Sequence, residues 1–534
     1  MSWTAGTSVP DLVLKPSSFL PVGNHSPFLS ILITSSALLV AYLVSGTIYA
    51  LTLHPLARFP GPHLCAASRI PFWYACITGH QVRWMHALHT RYGPVVRYSP
   101  NDLSFVDEGS NSAGSAWKAI HGQEKGETEF PKAKEWFVAP ENGIYGINSA
   151  APLPSHRRYR RVFRSAFSSS FLRTQEPRFQ KHVSALLSVL TSAATTTIPS
   201  VTGNTQGVPI DVLELLNFTT FDIMGDLTLS QPLGLLASRA YTPWVSAVFA
   251  SLRVIPLAQV IQHYPVLNTL FRLIEPKAVK EMKYRHFRHS ADRVDARLAR
   301  DGEGLDDIWS LVLRSEGSDD ALSLEEMYTH ADVFMLAGSE TTGTAMAGLV
   351  YLLLKNPEKM DKVKREVRGA FPDGIGELTM ELAAARLGYL DACIQEALRM
   401  YPPVPVGVPR EVPVPGKEIL GRWVAPGTRV SVHHYATYRW PANFAEPDRF
   451  LPERHLAGAC GGDRREALQP FGFGPRNCIG QNMAMQEMRL IMACLLLKFD
   501  LELCDPEVDW LEQRAFVLWE KRPLMCHVRE AVVY

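Results

Sequence analysis

The chain has 534 residues, 46% of them hydrophobic and 20% charged, with a formal net charge of +1. That length holds several domains or one large body with a deep core, and the balanced charge sets aside proteins that depend on a strong overall field, such as nucleic-acid binders. The eight cysteines are scattered without a C-x-x-C pair, which argues against a disulfide framework or a zinc module and suits a reducing compartment.

In chain order, residues 1–27 read as a short lumenal segment, where Asn24-His-Ser26 has the form of a glycosylation acceptor and Pro27 follows it. From Phe28 to Leu53 no residue is charged. This run exceeds the roughly 20 apolar residues that span a bilayer core, so 28–53 is taken as a transmembrane anchor. Arg58, Arg69, Arg83 and Arg91 come after it, and basic residues mark the cytosolic side. Residues 54–62 are loaded with proline, which restricts φ and removes donors, giving a semi-rigid hinge. Residues 63–534 carry no repeat or low-complexity tract and read as one folded body.

Within that body, Tyr92–Phe105 mixes β-branched and aromatic residues around Pro100-Asn101 and predicts a hairpin. Asp107–Pro154 is polar and glycine-rich and predicts long loops with short helices. The pattern turns helical from Ser155 to about Leu190, Thr191–Val208 predicts a loop, and Asp211–Ala299 predicts helices broken near Pro232, Pro243, Pro256 and Pro265. Ser323-Leu-Glu-Glu326 has the form of a capping box opening a long helix that ends at Asn356-Pro357. Shorter helices follow to Met400, and Val404–Val432, rich in Pro, Gly and Val, predicts short strands. Gln481–Leu497 predicts a last helix.

Several places break local rules, which marks functional sites. The second half of the long helix is apolar all round, the signature of a buried helix, yet it carries Gly338, Glu340 and Thr341. Glu396 and Arg399 lie three residues apart on one helix face, followed by Pro402-Pro403 and Glu446-Pro-Asp-Arg-Phe450. Finally, Phe471-Gly-Phe-Gly-Pro-Arg-Asn-Cys-Ile-Gly480 sets one cysteine among glycines just before a helix. A thiolate near a helix N-terminus is stabilised by unpaired N–H groups and the helix dipole, and there it can ligate iron.

This last run has the pattern F-x-x-G-x-R-x-C-x-G and resembles the haem-binding loop of the cytochrome P450 monooxygenases. Ala337-Gly-Ser-Glu-Thr341 likewise resembles their oxygen-activation signature, and the order of Glu396/Arg399, Glu446–Phe450 and the cysteine loop matches their order of parts. The resemblance implies a mainly α fold with small β-sheets: a triangular helical body with a long central helix, preceded by one transmembrane helix. It implies haem b with Cys478 as the axial iron ligand and Phe471 and Arg476 in the surrounding loop. It places His156 and Arg160 where the family has W-x-x-x-R, with Arg410 as a further partner for the propionates. Glu340 and Thr341 would deliver protons through a local deviation in the helix, while Glu396, Arg399 and Arg449 would form a buried ionic lock, with Asp448 where the family often has Glu.

The resemblance also implies an endoplasmic-reticulum enzyme fed from NADPH by a separate reductase, with cytochrome b5 as a second donor. Arg157, Arg161 and Arg164 are candidates for docking such a partner. Val404–Val408, Phe334, Met335 and Phe516–Leu518 are candidates for contacting a lipophilic polyketide or terpenoid substrate. The chemistry expected is hydroxylation or epoxidation, with coupling, desaturation or rearrangement as the alternative and a haem carrier or sensor as a remote one.

Overall fold

In the computed structural model, residues 27–531 are described apart from 110–113, 124–127, 138–139, 150, 200–204, 301–302, 316 and 459–461. The lumenal segment with Asn24 lies outside the described residues.

The organising element is the helix Leu324–Leu354, 31 residues long. It starts where the sequence indicates: the Ser323 hydroxyl accepts from the Glu326 N–H at 3.2 Å, and the Glu326 carboxylate accepts from the Ser323 N–H at 2.9 Å. Its glycines let a second helix, Val212–Leu229, lie close alongside. A Cβ on Gly338 would sit 2.7 Å from Met224 Sδ, and one on Gly343 would sit 2.4 Å from Asn217 Oδ1. Two buried hydroxyl bonds join the pair: Thr220 Oγ1 donates to the Ser339 carbonyl at 3.0 Å, and Ser339 Oγ donates to the Thr220 carbonyl at 3.2 Å. A glycine that weakens a free helix by about 1 kcal/mol is offset here by tight packing.

Helices of the body pack around this pair, and residues from both join the large hydrophobic core. The helical region expected from Ser155 holds three α-helices: Leu153–Arg164, Ser169–Thr174 and Glu176–Thr195. Ser168 caps the second, its hydroxyl accepting from the Phe171 N–H at 3.3 Å, and Pro177 sits in the first turn of the third. That third helix runs into the stretch expected to be loop, and strands 197–199 and 205–207 pair beyond it. Of the prolines expected to break the helices after Asp211, Pro232 lies between two helices, while Pro243, Pro256 and Pro265 fall in first turns, where a missing N–H costs nothing.

The β structure is peripheral. Val95–Ser99 pairs antiparallel with Asp102–Phe105, as the turn residues predict. Asp102–Phe105 then runs parallel to Arg429–Val432 with Leu103 opposite Val430, and Arg410–Glu411 closes the four-stranded sheet. Near the C-terminus Phe499–Leu503 pairs with Met525–Glu530, and Arg514–Phe516 forms a hairpin with Leu518–Glu520. The chain is thus mostly helical with small sheets.

Ahead of the body stands the helix Pro27–Thr52. Residues Phe28–Thr52 are largely exposed, apart from the buried Ala50, and are long and apolar enough to cross a membrane. The proline segment after it docks on the first hairpin. Leu56 and Phe59 are buried, and the Arg97 N–H donates to the Pro60 carbonyl at 2.7 Å.

Candidate active site

The cysteine loop is shaped by glycine. Gly472 and Gly474 have φ of +72° and +75°, in the left-handed region that favours glycine. At Gly474 a Cβ would also lie 2.0 Å from the His121 carbonyl oxygen. The Cys478 N–H donates to the Phe471 carbonyl at 2.7 Å and closes the loop, and the helix Gln481–Lys498 leaves it. Cys478 lies deep in the body, yet its thiol is open to an internal cavity of about 310 Å³. Burial pushes the thiol up, while the Gly480 backbone N–H and the Arg160 charge draw it back toward thiolate.

A set of basic side chains lines the same cavity: His121, Lys132, His156, Arg160, Arg410 and Arg476. Arg160 is tied to the cysteine loop, donating to the Asn477 carbonyl at 2.6 Å and to its side-chain oxygen at 2.5 Å. Arg476 donates to the Ala151 carbonyl at 3.1 Å and pairs closely with Glu129, which also stands 3.5 Å from Arg410. The remaining positive charge is crowded. Burial, then the charges of Arg476, Lys132, Arg160 and Arg410, push His156 down to about 3. Burial and Arg476 bring Arg410 down to about 10. Lys132 is pushed well down by burial and by both arginines. The buried Arg410 Nε and His121 Nε2 have no hydrogen-bond partner among the described residues.

Buried charge and unpartnered donors are costly unless an opposite charge satisfies them. A thiol open to the cavity, together with a cationic set short of anions, fits haem b with its two propionates. Lys132 and His121 join the expected basic side chains here, although nothing local in the sequence marks either one.

The central helix supplies Phe334, Ala337, Gly338 and Thr341 to the lining. The helix runs unbroken through this stretch, and its hydroxyls bond back one turn: Thr341 to the Ala337 carbonyl at 2.6 Å, Thr342 to Gly338 at 2.8 Å and Thr344 to Glu340 at 2.7 Å. Such back-bonding satisfies a hydroxyl in an apolar interior without breaking the helix. Thr341 lines the cavity, whereas Glu340 is buried off it and pairs with Lys521 at 2.5 Å. Of the expected substrate contacts, Val404, Val408 and Phe334 line the cavity; Met335 and Phe516–Leu518 do not.

The ionic lock forms with a different third member. Glu396 holds Arg399 through two bonds of 2.8 Å, with both side chains fully buried. It also accepts from Arg454 Nε at 3.1 Å and the Leu451 N–H at 3.0 Å, and meets His455 Nε2 at 2.9 Å. Arg449, the expected partner, points its side chain to solvent and pairs with Glu446 at 2.5 Å. Only its backbone carbonyl reaches the lock, accepting from Arg399 at 3.2 Å. Asp448 is likewise exposed. The signal was present in the sequence: Pro452-Glu-Arg454 repeats the chemistry of Pro447-Asp-Arg449 five residues later. Burial raises Glu396, but its hydrogen bonds and the charges of Arg399 and Arg454 outweigh that and bring it down to about 2.

On the helix that carries His156 and Arg160, Arg157, Arg161 and Arg164 are exposed, and Arg161 pairs with Asp320 at 2.5 Å.

The family model for cytochrome P450 matches residues 67–527. The chain is 39% identical over 496 residues to cytochrome P450 monooxygenase efuB of Hormonema carpetanum, covering 92% of this chain and 94% of the relative. It is 40% identical over 488 residues to cytochrome P450 monooxygenase FUM2 of Gibberella moniliformis, covering 90% and 99%. Averantin hydroxylase of Dothistroma septosporum is 38% identical over 491 residues, covering 91% and 89%.

Proposed function

The chain belongs to the cytochrome P450 family, and we propose that it oxidises a lipophilic secondary metabolite of polyketide or terpenoid type on the endoplasmic reticulum, with NADPH electrons supplied by a separate reductase. It is a haem-thiolate monooxygenase, and the observation that carries the proposal is that the Cys478 thiol and Thr341 share one mainly apolar cavity. When bound, haem ligated by the Cys478 thiolate supplies the reductive activation of dioxygen. Arg160, Arg410, Arg476, His156 and Lys132, which line the cavity, would hold its propionates through charge-assisted bonds.

Val404, Val408 and Phe334 give an apolar substrate a dry surface. The Thr341 hydroxyl is the proton-bearing group on the cavity wall, and Glu340, one residue before it, is the acid that replenishes it. Glu396, Arg399 and Arg454 hold the framework beside the cysteine loop. The exposed Arg157, Arg161 and Arg164 lie on the helix whose Arg160 grips Asn477, so an acidic reductase, or cytochrome b5, docked there by electrostatic attraction would approach the cysteine loop. The hydroxylase named among the relatives supports oxygen insertion over coupling or rearrangement.

The reduced, carbon-monoxide-treated protein is expected to show the red-shifted band of thiolate-ligated haem, and Cys478→Ala is expected to lose it. A variant that kept the band and full turnover would overturn the assignment. Labelled dioxygen is expected to place one labelled oxygen in the product; an unlabelled oxidised product would favour coupling or desaturation.

A further inference from the structure

Glu340 is the one member of the proposed proton-delivery pair that does not reach the cavity, and its surroundings show what it does face. Glu340 is 1% exposed. Its Oε1 accepts from Lys521 Nζ at 2.5 Å, and its Oε2 has no hydrogen-bond partner among the described residues. Lys521 comes from beyond the C-terminal hairpin and also donates to Thr344 Oγ1 at 2.7 Å. The same lysine lines a second, polar cleft, walled by Arg83, Arg253, Glu512, Gln513 and Glu520. Arg83 and Glu512 are open to solvent, so this cleft joins the surface to the lysine.

We propose that Lys521 is the positioning residue for Glu340, holding its carboxylate toward the polar cleft, and that this cleft is the solvent end of the route by which protons reach the central helix. The inference rests on the reading of Glu340 as the acid of the pair. Each turn moves one proton and no electron. From the ion pair, Lys521 passes a proton to Glu340 and becomes a neutral amine. Glu340 releases its proton toward the cavity and returns to carboxylate. A hydronium ion in the cleft then restores the ammonium.

The setting favours this exchange. Burial raises the Glu340 carboxyl against the pull of Lys521, and it lowers the Lys521 ammonium against the pull of Glu340 and the more distant Asp211. The proton affinities of the two groups therefore converge. The remaining polar groups facing the pair are Thr344 on the central helix, Tyr241, and Tyr401, which is held by Gln513 at 2.7 Å. Burial and the Glu340 charge raise both tyrosines, leaving them neutral.

The test uses the full chain loaded with haem. Infrared difference spectra against pH would follow the neutral-carboxyl band that disappears in Glu340→Gln. Lys521→Met is expected to keep that band to a pH higher by about a unit or more, while Lys521→Arg titrates as the unaltered protein does. Identical titration in Lys521→Met would overturn the proposal. With reductase and an alkoxycoumarin as probe, peroxide released per NADPH is expected to rise roughly tenfold in both Lys521→Met and Glu340→Gln. The double variant should add nothing further.

Arg83→Trp, which narrows the cleft without touching the pair, is expected to raise peroxide release in part. No rise there would place the solvent end elsewhere and overturn that half of the proposal. If Glu340→Gln leaves peroxide release unchanged, the acid role of Glu340 fails, whereas the infrared titration still decides whether Lys521 controls its charge.

Discussion

Gly474 shows how one residue's missing side chain can shape a site. Its φ of +75° disfavours any Cβ, and a Cβ at this position would press on the His121 carbonyl. The left-handed backbone alone costs an alanine about 1–2 kcal/mol, and a contact of 2.0 Å adds to this because backbone rather than a flexible side chain must move. Gly474→Ala is therefore expected to shift both the cysteine loop and the segment carrying His121, two walls of the cavity. Haem bound per chain, measured from absorbance after purification, should fall several-fold. An unchanged haem content would mean that the loop tolerates the Cβ.

The element scale is clearest in the lock between the helix Gly388–Met400 and the turn Pro452–His455. Breaking one side of a buried ion pair costs about 3–5 kcal/mol because it strands the partner's charge. Arg454→Ala should therefore lower the melting temperature by many degrees, while Arg449→Ala, whose pairing is at the surface, should leave it unchanged. Thermal unfolding of the two variants side by side checks this. The lock also has a defined pH signature. Glu396 lies near 2 in the folded chain against an ordinary 4.5, so its stabilisation is complete above pH 4.5 and is lost as pH falls toward 2. The melting-temperature gap between the unaltered protein and Glu396→Gln is expected to hold steady at neutral pH and to shrink below pH 4.5.

At the scale of the molecule, the anchor is not the whole of the apolar surface. The helix Pro265–Ile274 buries no residue, and Leu273 and Ile274 are 76% and 75% exposed. It adjoins Ile255–His263, which packs on Ile70–Ile77, where Ile70 and Tyr74 are also exposed. That second group follows closely in sequence on the apolar helix Phe28–Thr52 and the docked proline segment, so exposed apolar residues flank that segment on both sides. A lipid surface is the expected occupant of these exposed apolar residues. A chain lacking residues 1–52 is expected to float with phosphatidylcholine vesicles, and Leu273→Glu with Ile274→Glu should reduce the floated fraction several-fold. Complete release by the truncation alone would assign all membrane attachment to the anchor.

Local chemistry was enough to recognise much of this protein. The uncharged run at 28–53, the Ser323–Glu326 box, the hairpin at Pro100-Asn101 and the glycine-flanked Cys478 all act through neighbours a few residues away, so their spacing alone is informative. Packing had to decide the rest. Arg449 and Arg454 have nearly the same local surroundings, and the course of the chain after Glu446, at φ +45°, sends one to solvent and the other to Glu396. Lys521 meets Glu340 across 181 residues, and His121, at the end of the short helix Ala116–His121, joins the basic wall with Lys132 from a stretch too short in its elements to show a period. Partners so far apart in sequence are set by how elements stack, because burying a charge selects its counter-charge in space and leaves no trace in residue spacing.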